Sequence, residues 1–150
     1  MDVTDMILYM GDLRETAGGA GDVSVEAWTP ASTADVLAIV ARSKPSFLRY
    51  FEDAPASTVV CAIRSGDTTI GAVLLETVPE RAETPTDSAL ACLVIDPELQ
   101  GRRLGTAAIV AICRELRSRG FNRVIAEWVI SVTLYERLGF QVWRTRSVIS

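Results

Sequence analysis

The sequence predicts a mixed α+β domain built around one twisted sheet. Three observations predict it. Apolar runs of strand length recur along the chain, and helical patterns of apolar residues separate them. One run, residues 88–95, is apolar throughout most of its length, as expected of a central strand covered on both faces. A chain of 150 residues, 49% hydrophobic and 23% charged, suits a single domain with a real core.

In chain order, residues 6–10 form a short apolar run of strand length. A connector follows over 11–22, carrying Gly18-Gly19-Ala20-Gly21. Residues 23–28 alternate apolar and polar positions and predict a strand. Thr29-Pro30-Ala31-Ser32 opens a helix whose Val36, Leu37, Ile39 and Val40 share a face and which ends near Pro45. A second short helix over 46–52 carries Phe47, Leu48, Tyr50 and Phe51. Residues 58–64 and 68–78 form two strands around the turn Ser65-Gly66-Asp67. A loop rich in Pro, Thr and acid spans 79–87, and the apolar strand at 88–95 comes next. Residues 96–100 turn, and a long helix begins. It has Leu104, Ala108, Ala111, Ile112 and Leu116 on one side, Arg114, Arg117 and Arg119 on the solvent side, and Gly120 as its stop. A strand over 122–128, a short helix over 129–138 closed by Gly139, and a strand over 140–148 complete the list. The predicted division is an extension at 1–22 and a domain at 23–150.

The residue inventory excludes several chemistries. The chain has no histidine, which removes Ser-His and Cys-His relays and the usual zinc sites, so no metal centre is expected. Three scattered cysteines, Cys61, Cys92 and Cys113, sit in apolar runs and read as buried free thiols. Proton transfer is left to carboxylates, tyrosine, Lys44 or water. No apolar run reaches the roughly 18 residues of a membrane span. The acidic opening Met1-Asp2-Val3-Thr4-Asp5 lacks the features of a secretory signal, so a cytoplasmic location is expected.

Charge is unevenly placed. Residues 1–100 hold 6 basic and 16 acidic side chains, whereas residues 101–150 hold 9 basic and 3 acidic ones. A basic last third suits a ligand with several phosphates. The acidic remainder would repel a long polyanion, so nucleic acid is not the expected partner.

The segment Leu93-Val94-Ile95-Asp96-Pro97-Glu98-Leu99-Gln100-Gly101-Arg102-Arg103-Leu104-Gly105-Thr106-Ala107 combines these signals. A buried strand ends, the chain turns, and a glycine-bearing loop opens a long helix. The first backbone N–H groups of a helix lack internal partners and point outward, with the helix dipole adding positive charge. Gly101 and Gly105 let a phosphate approach the backbone, Thr106 adds a hydroxyl, and Arg102 and Arg103 add charge. Neither a Walker loop nor a dinucleotide fingerprint is present. An ordinary strand-turn-helix remains the plain alternative.

This segment resembles the acetyl-CoA signature of the GNAT superfamily of N-acetyltransferases, Q/R-x-x-G-x-G/A. Leu134-Tyr135-Glu136-Arg137-Leu138-Gly139-Phe140 is similar to a second segment of that family, and the order of elements agrees over about residues 23–148. The resemblance implies a GNAT-like three-layer fold with one central mixed sheet, and an acyltransferase moving an acetyl or similar short acyl group from acetyl-CoA to an amine of a small molecule or peptide. It implies cofactor binding by Leu93, Val94 and Ile95 through their main chain and by Gln100, Gly101, Arg102, Arg103, Leu104, Gly105 and Thr106 around the pyrophosphate. It implies Tyr135 as the acid that protonates the leaving thiolate. The chain departs from the pattern in three places. Arg103 stands where the signature prefers glycine, Trp128 stands where the family usually has an asparagine, and the connection from the strand at Asn122 to the helix at Tyr135 is a few residues short.

Glu76, Asp87 and Glu127 are the candidate general bases. Trp28, Phe47, Tyr50 and Phe51 are candidates for an acceptor pocket, with core packing as their alternative role. A non-catalytic acyl-CoA-binding module, and a GNAT-fold enzyme of other thioester chemistry, are the rival functions. The family's sheet usually finishes with two strands after its second helix, whereas this sequence has room for one. Residues 6–10 are therefore expected to fill the missing slot, either within the chain or from a neighbouring subunit of a homodimer.

Overall fold

The computed structural model describes residues 1–15, 22–27, 33–80, 82–99 and 103–148. Its elements are β1 (Asp2–Tyr9), β2 (Val23–Ala27), α1 (Thr33–Ser43), α2 (Leu48–Glu52), β3 (Thr58–Ser65), β4 (Thr68–Glu76), β5 (Asp87–Ile95), α3 (Leu104–Ser118), β6 (Arg123–Val129), α4 (Val132–Arg137) and β7 (Gln141–Ser147). Short 3-10 turns cover Met10–Asp12, Pro45–Phe47 and Pro97–Leu99. No helix among the described residues is long and apolar enough to cross a membrane.

The strands form one sheet in the order β2-β3-β4-β5-β6-β1-β7. All neighbours are antiparallel except β5 and β6, which are parallel. Apolar side chains leave the sheet on both faces. On one face Met6, Leu8, Ile63, Val73, Leu75, Leu90, Val124 and Ala126 pack under α3 and α4. On the other, Val60, Ala62, Ala72, Leu74 and Val94 pack under Val36, Ile39, Val40 and Phe51 of α1 and α2. The result is a helix-sheet-helix sandwich, the architecture expected from the sequence.

The N-terminal run sits inside the sheet rather than at its edge. β1 pairs with β6 on one side and β7 on the other, within the same chain. It is longer than the run 6–10 because Asp2, Val3, Thr4 and Asp5 pair as well, with polar side chains that hide the strand period. The chain then crosses the end of α4. Arg14 N–H donates to the Leu138 carbonyl at 2.9 Å, and a Cβ at Gly139, where φ is +105, would overlap the Asp12 carbonyl oxygen. The Gly18–Gly21 connector lies outside the described residues.

Asp87 opens β5 and Arg123 opens β6, and the two lock that end of the sheet. Arg123 donates through Nε to Oδ1 at 2.7 Å and through Nη2 to Oδ2 at 2.6 Å, and the Asp87 side chain is fully buried. Thr84 and the Glu83 and Thr84 amides add further donors. The hydrogen bonds from Arg123, outweighing desolvation, hold the carboxyl well below the usual carboxylate range. A depressed folded-state value means that the stability it contributes is present above the unfolded value of about 4 and is lost as pH falls. Asp87→Asn should therefore lower the melting temperature at pH 7 by on the order of 10 °C, from a buried pair worth about 3 kcal/mol to break. Its melting temperature should also fall less than the wild type's between pH 5 and pH 2, as thermal melts across that range would show.

Candidate active site between the splayed strands

β5 and β6 pair from Asp87↔Arg123 to Leu90↔Ala126, and no further. Both strands run on, to Ile95 and Val129, with a gap between them. A bulge flanks each side of that gap. The register of β5 against β4 shifts between Ala72 and Leu74, where Cys92 adopts φ +55. The register of β6 against β1 shifts between Thr4 and Met6, where Trp128 adopts φ +54. Bulges add local twist and re-aim the strand, so two of them on opposite flanks turn the strand ends apart.

The gap exposes backbone on β5. Asp96 N–H donates to the Ile70 carbonyl of β4 at 2.7 Å. Strand alternation then turns the main chain of Val94 toward β4 as well, and that of Leu93 and Ile95 toward the gap. Gly71 permits the close approach, since a Cβ there would overlap the Val94 carbonyl oxygen. The Val94 side chain is buried under α1. The end of β5 is pinned by the last turn of α1: Ser43 Oγ donates to the Ile95 carbonyl at 3.0 Å, and Arg42 Nη2 meets Asp96 Oδ2 at 2.8 Å. Asp96 in turn accepts from the Glu98 amide at 3.1 Å and fixes the turn that leads to α3. Sequence reading missed Arg42 and Ser43, which look like an ordinary polar helix end.

At the start of α3, Arg103 has φ 58 and ψ 19, a left-handed conformation. The signature prefers glycine at this position for a physical reason: only glycine adopts it without steric cost, and arginine holds it here at roughly 1 kcal/mol. The first intrahelical bond runs from Ala107 N–H to the Arg103 carbonyl at 3.2 Å. The amides of Leu104, Gly105 and Thr106 therefore precede the ladder and have no partner within the helix. Among the described residues, a Cβ at Gly105 would meet nothing within 4 Å outside its own helix turn. The predicted binding residues Gln100, Gly101 and Arg102 lie outside the described residues.

Two residues separate the end of β6 from α4, which packs on the same face as α3. The start of α3 and the body of α4 thus flank the open end of the gap. Tyr135 of α4 is buried and stacks edge-on with Phe140 at 5.1 Å and 88°. Burial, and then the nearby Cys113, push the phenol's pKa far up, so it keeps its proton at any ordinary pH. A phenol that keeps its proton can donate a hydrogen bond and is not a base.

On the opposite face lies a cavity of about 350 Å³, lined by Pro55, Ser57, Thr58, Glu76, Val78, Glu80, Glu127 and Arg146. Glu127 is the first residue of β6 beyond its last pair with β5. The cavity therefore borders the gap, and two of the three candidate bases line it. Asp87 does not, since it is ion-paired to Arg123 at the closed end. Nor does the aromatic cluster. Phe51 is buried in the α1 and α2 core, Phe47 packs against that core, and Tyr50 is exposed beside Arg49. Trp28 lies outside the described residues. Sequence reading missed Arg146 and its partner Asp5; the only signal was an acid placed just before an apolar run.

All three cysteines are free thiols, as expected; Cys61 and Cys113 are buried, whereas Cys92 is only partly so. Burial raises Cys61 to about 11 and Cys113 to about 12. Cys92 rises to about 12 through burial and then the charges of Glu127 and Glu76.

The sequence matches the model of the Acetyltransferase (GNAT) family over residues 25–140. No curated protein shows significant similarity to it. Among solved structures, it is similar to a GCN5-related glucosamine N-acetyltransferase region of a fungal multi-domain GH3 β-N-acetylglucosaminidase, at TM-score 0.77 and 18% identity over 97% of this chain and 20% of that one. It is similar to a GCN5-related N-acetyltransferase from Kribbella flavida, at TM-score 0.66 and 15% identity over 97% of this chain and 56% of that one. It is also similar to a GNAT acetyltransferase from Brucella melitensis in complex with acetyl-CoA, at TM-score 0.61 and 17% identity over 81% of this chain and 86% of that one. The chain thus spans only part of the first two, and at these identities the likeness is one of fold. The family match over most of the chain, with a splayed pair of parallel strands and a helix opening at its mouth, gives the conclusion: this chain belongs to the GNAT acetyltransferase family, whose cofactor is acetyl-CoA.

Proposed function

We propose that the chain is an N-acetyltransferase acting on a small amine. The observation that carries this reading is the gap between β5 and β6, with a carboxylate-lined cavity on one face and α3 and α4 on the other.

The residues present fit acetyl-CoA. The amides of Leu104, Gly105 and Thr106, with Arg103 beside them, offer donors and positive charge to a pyrophosphate, and Gly105 leaves the room a ligand needs. Leu93 and Ile95 present main-chain groups to the pantetheine arm and acyl carbonyl. When bound, the cofactor supplies an activated acyl thioester. The chain's own residues then divide the work. The main-chain amides of β5 favour charge developing on the acyl oxygen. Glu76 or Glu127 takes a proton from the acceptor ammonium, directly or through water. Tyr135 gives its phenolic proton to the departing sulfur. Holding acceptor and acyl group on either side of one gap supplies much of the acceleration by proximity.

A cavity of about 350 Å³ admits an acceptor the size of an amino acid, a short diamine or an amino sugar. The glucosamine N-acetyltransferase region named above makes glucosamine one reasonable acceptor. Thiol release from acetyl-CoA with glucosamine, lysine or putrescine tests the proposal. Release above the amine-free rate is expected with at least one of the three. Coenzyme A binding without release from any of them would favour the non-catalytic module.

A further inference from the structure

We propose that Asp5 of the N-terminal strand is a positioning residue for the acceptor cavity, acting through Arg146 and the bulge at Trp128; the proposal rests on the acyltransferase reading above. The Asp5 side chain is fully buried. It accepts from the Trp128 amide at 3.0 Å, from Arg146 Nε at 2.7 Å and Nη2 at 3.2 Å, and from Arg144 Nε at 3.3 Å. The registers of β1 with both neighbours break at this residue.

Each contact has a consequence for the cavity. In the bulge the Trp128 amide leaves the backbone ladder, and the Asp5 carboxylate replaces the lost acceptor. That bond helps hold an aromatic residue at φ +54, a conformation side chains rarely adopt. The bulge sets the direction of the preceding residue, Glu127, which lines the cavity. Arg146 lines it too, gripped by Asp5 along its Nε and Nη2 edge, so that Nη1 is not used by that pair. One buried carboxylate therefore reaches two of the charged groups that line the cavity, Arg146 directly and Glu127 through the bulge.

Arg144 provides a control built into the fold. It lies two residues before Arg146 on β7 and shares the same carboxylate, yet it does not line the cavity. If Asp5 served folding alone, the two arginines would be equivalent. The test measures steady-state kinetics with acetyl-CoA and whichever of glucosamine, lysine and putrescine is turned over fastest, on full-length Arg146→Gln, Arg144→Gln, Asp5→Asn and the double variant Asp5→Asn/Arg146→Gln. Arg146→Gln is expected to raise the acceptor KM about tenfold or more while the acetyl-CoA KM stays within about twofold. Arg144→Gln is expected to lower the melting temperature and leave the acceptor KM unchanged. Asp5→Asn should reproduce the acceptor effect of Arg146→Gln, with the double variant no worse than the larger single one. Equal kinetics for the two arginine variants, or an unmoved acceptor KM in Arg146→Gln, would overturn the proposal, and this comparison decides even if Asp5→Asn does not fold. Absence of thiol release by the wild type with all three amines would instead overturn the acyltransferase reading and the proposal with it.

Discussion

Deleting residues 1–12 should abolish cooperative folding of the rest of the chain. The segment supplies β1, an interior strand hydrogen-bonded on both sides, to β6 and to β7. Its Val3, Met6, Ile7, Leu8 and Met10 are all buried. At about 1.5–3 kcal/mol for each large apolar side chain taken from water, their loss is on the order of 10 kcal/mol. That equals the whole stability of an ordinary domain, roughly 5–15 kcal/mol. The deletion also exposes two strand edges and strips Arg144 and Arg146 of the carboxylate they share. The truncated protein should show no sigmoidal melt by circular dichroism and should aggregate. A melt within a few degrees of the full-length one would show that β1 is an accessory and that the sheet closes without it.

Tyr135→Phe should lower kcat for thiol release by about 10²-fold or more, the usual contribution of a positioned acid. Phenylalanine fills the same volume and keeps the edge-on contact with Phe140, so the melting temperature should hold. Affinity for coenzyme A should change little, since the variant alters no main-chain group at β5 or α3. The raised pKa of the phenol adds a signature. Its proton stays in place across the working range, so the rate should climb with pH as the acceptor amine loses its proton, with no fall below about pH 10 that belongs to Tyr135. A variant that keeps kcat within a factor of three would make Tyr135 a core aromatic and leave another group to protonate the thiolate.

The fold was largely legible in the sequence because its signals are local. Alternation, the apolar run of β5, the glycine-bearing helix start and the stops at Gly120 and Gly139 each name an element without tertiary help. Helix starts were less legible: α4 begins at Val132 rather than near 129, since β6 extends through its bulge to Val129. The N-terminal run was readable as a strand because it is apolar over five residues, and the fold seats it between β6 and β7. The sequence could name candidate site residues only in contiguous chain, at 93–106 and 134–140, and of these 100–102 lie outside the described residues. The cavity is assembled from β3, β4, β6, β7 and two loops, and no local pattern announces it. Asp87 and Glu127 look alike in sequence, two acids near strand ends. The fold gives one a bidentate arginine and the other a place at the mouth of the gap. Asp5 shows the same limit: its partners are 123 to 141 residues away.

Calorimetric titration of coenzyme A into the wild type and Gly105→Val measures directly where the cofactor's diphosphate is held. Among the described residues a Cβ at Gly105 meets nothing outside its own helix turn, and valine suits a helix better than glycine, so the substitution should leave the melting temperature unchanged or raise it slightly. The wild type should bind one coenzyme A per chain, more weakly as salt rises, while Gly105→Val loses about tenfold or more in affinity. Failure of the wild type to bind, or equal affinity in the two proteins, would contradict a cradle formed by the first turn of α3.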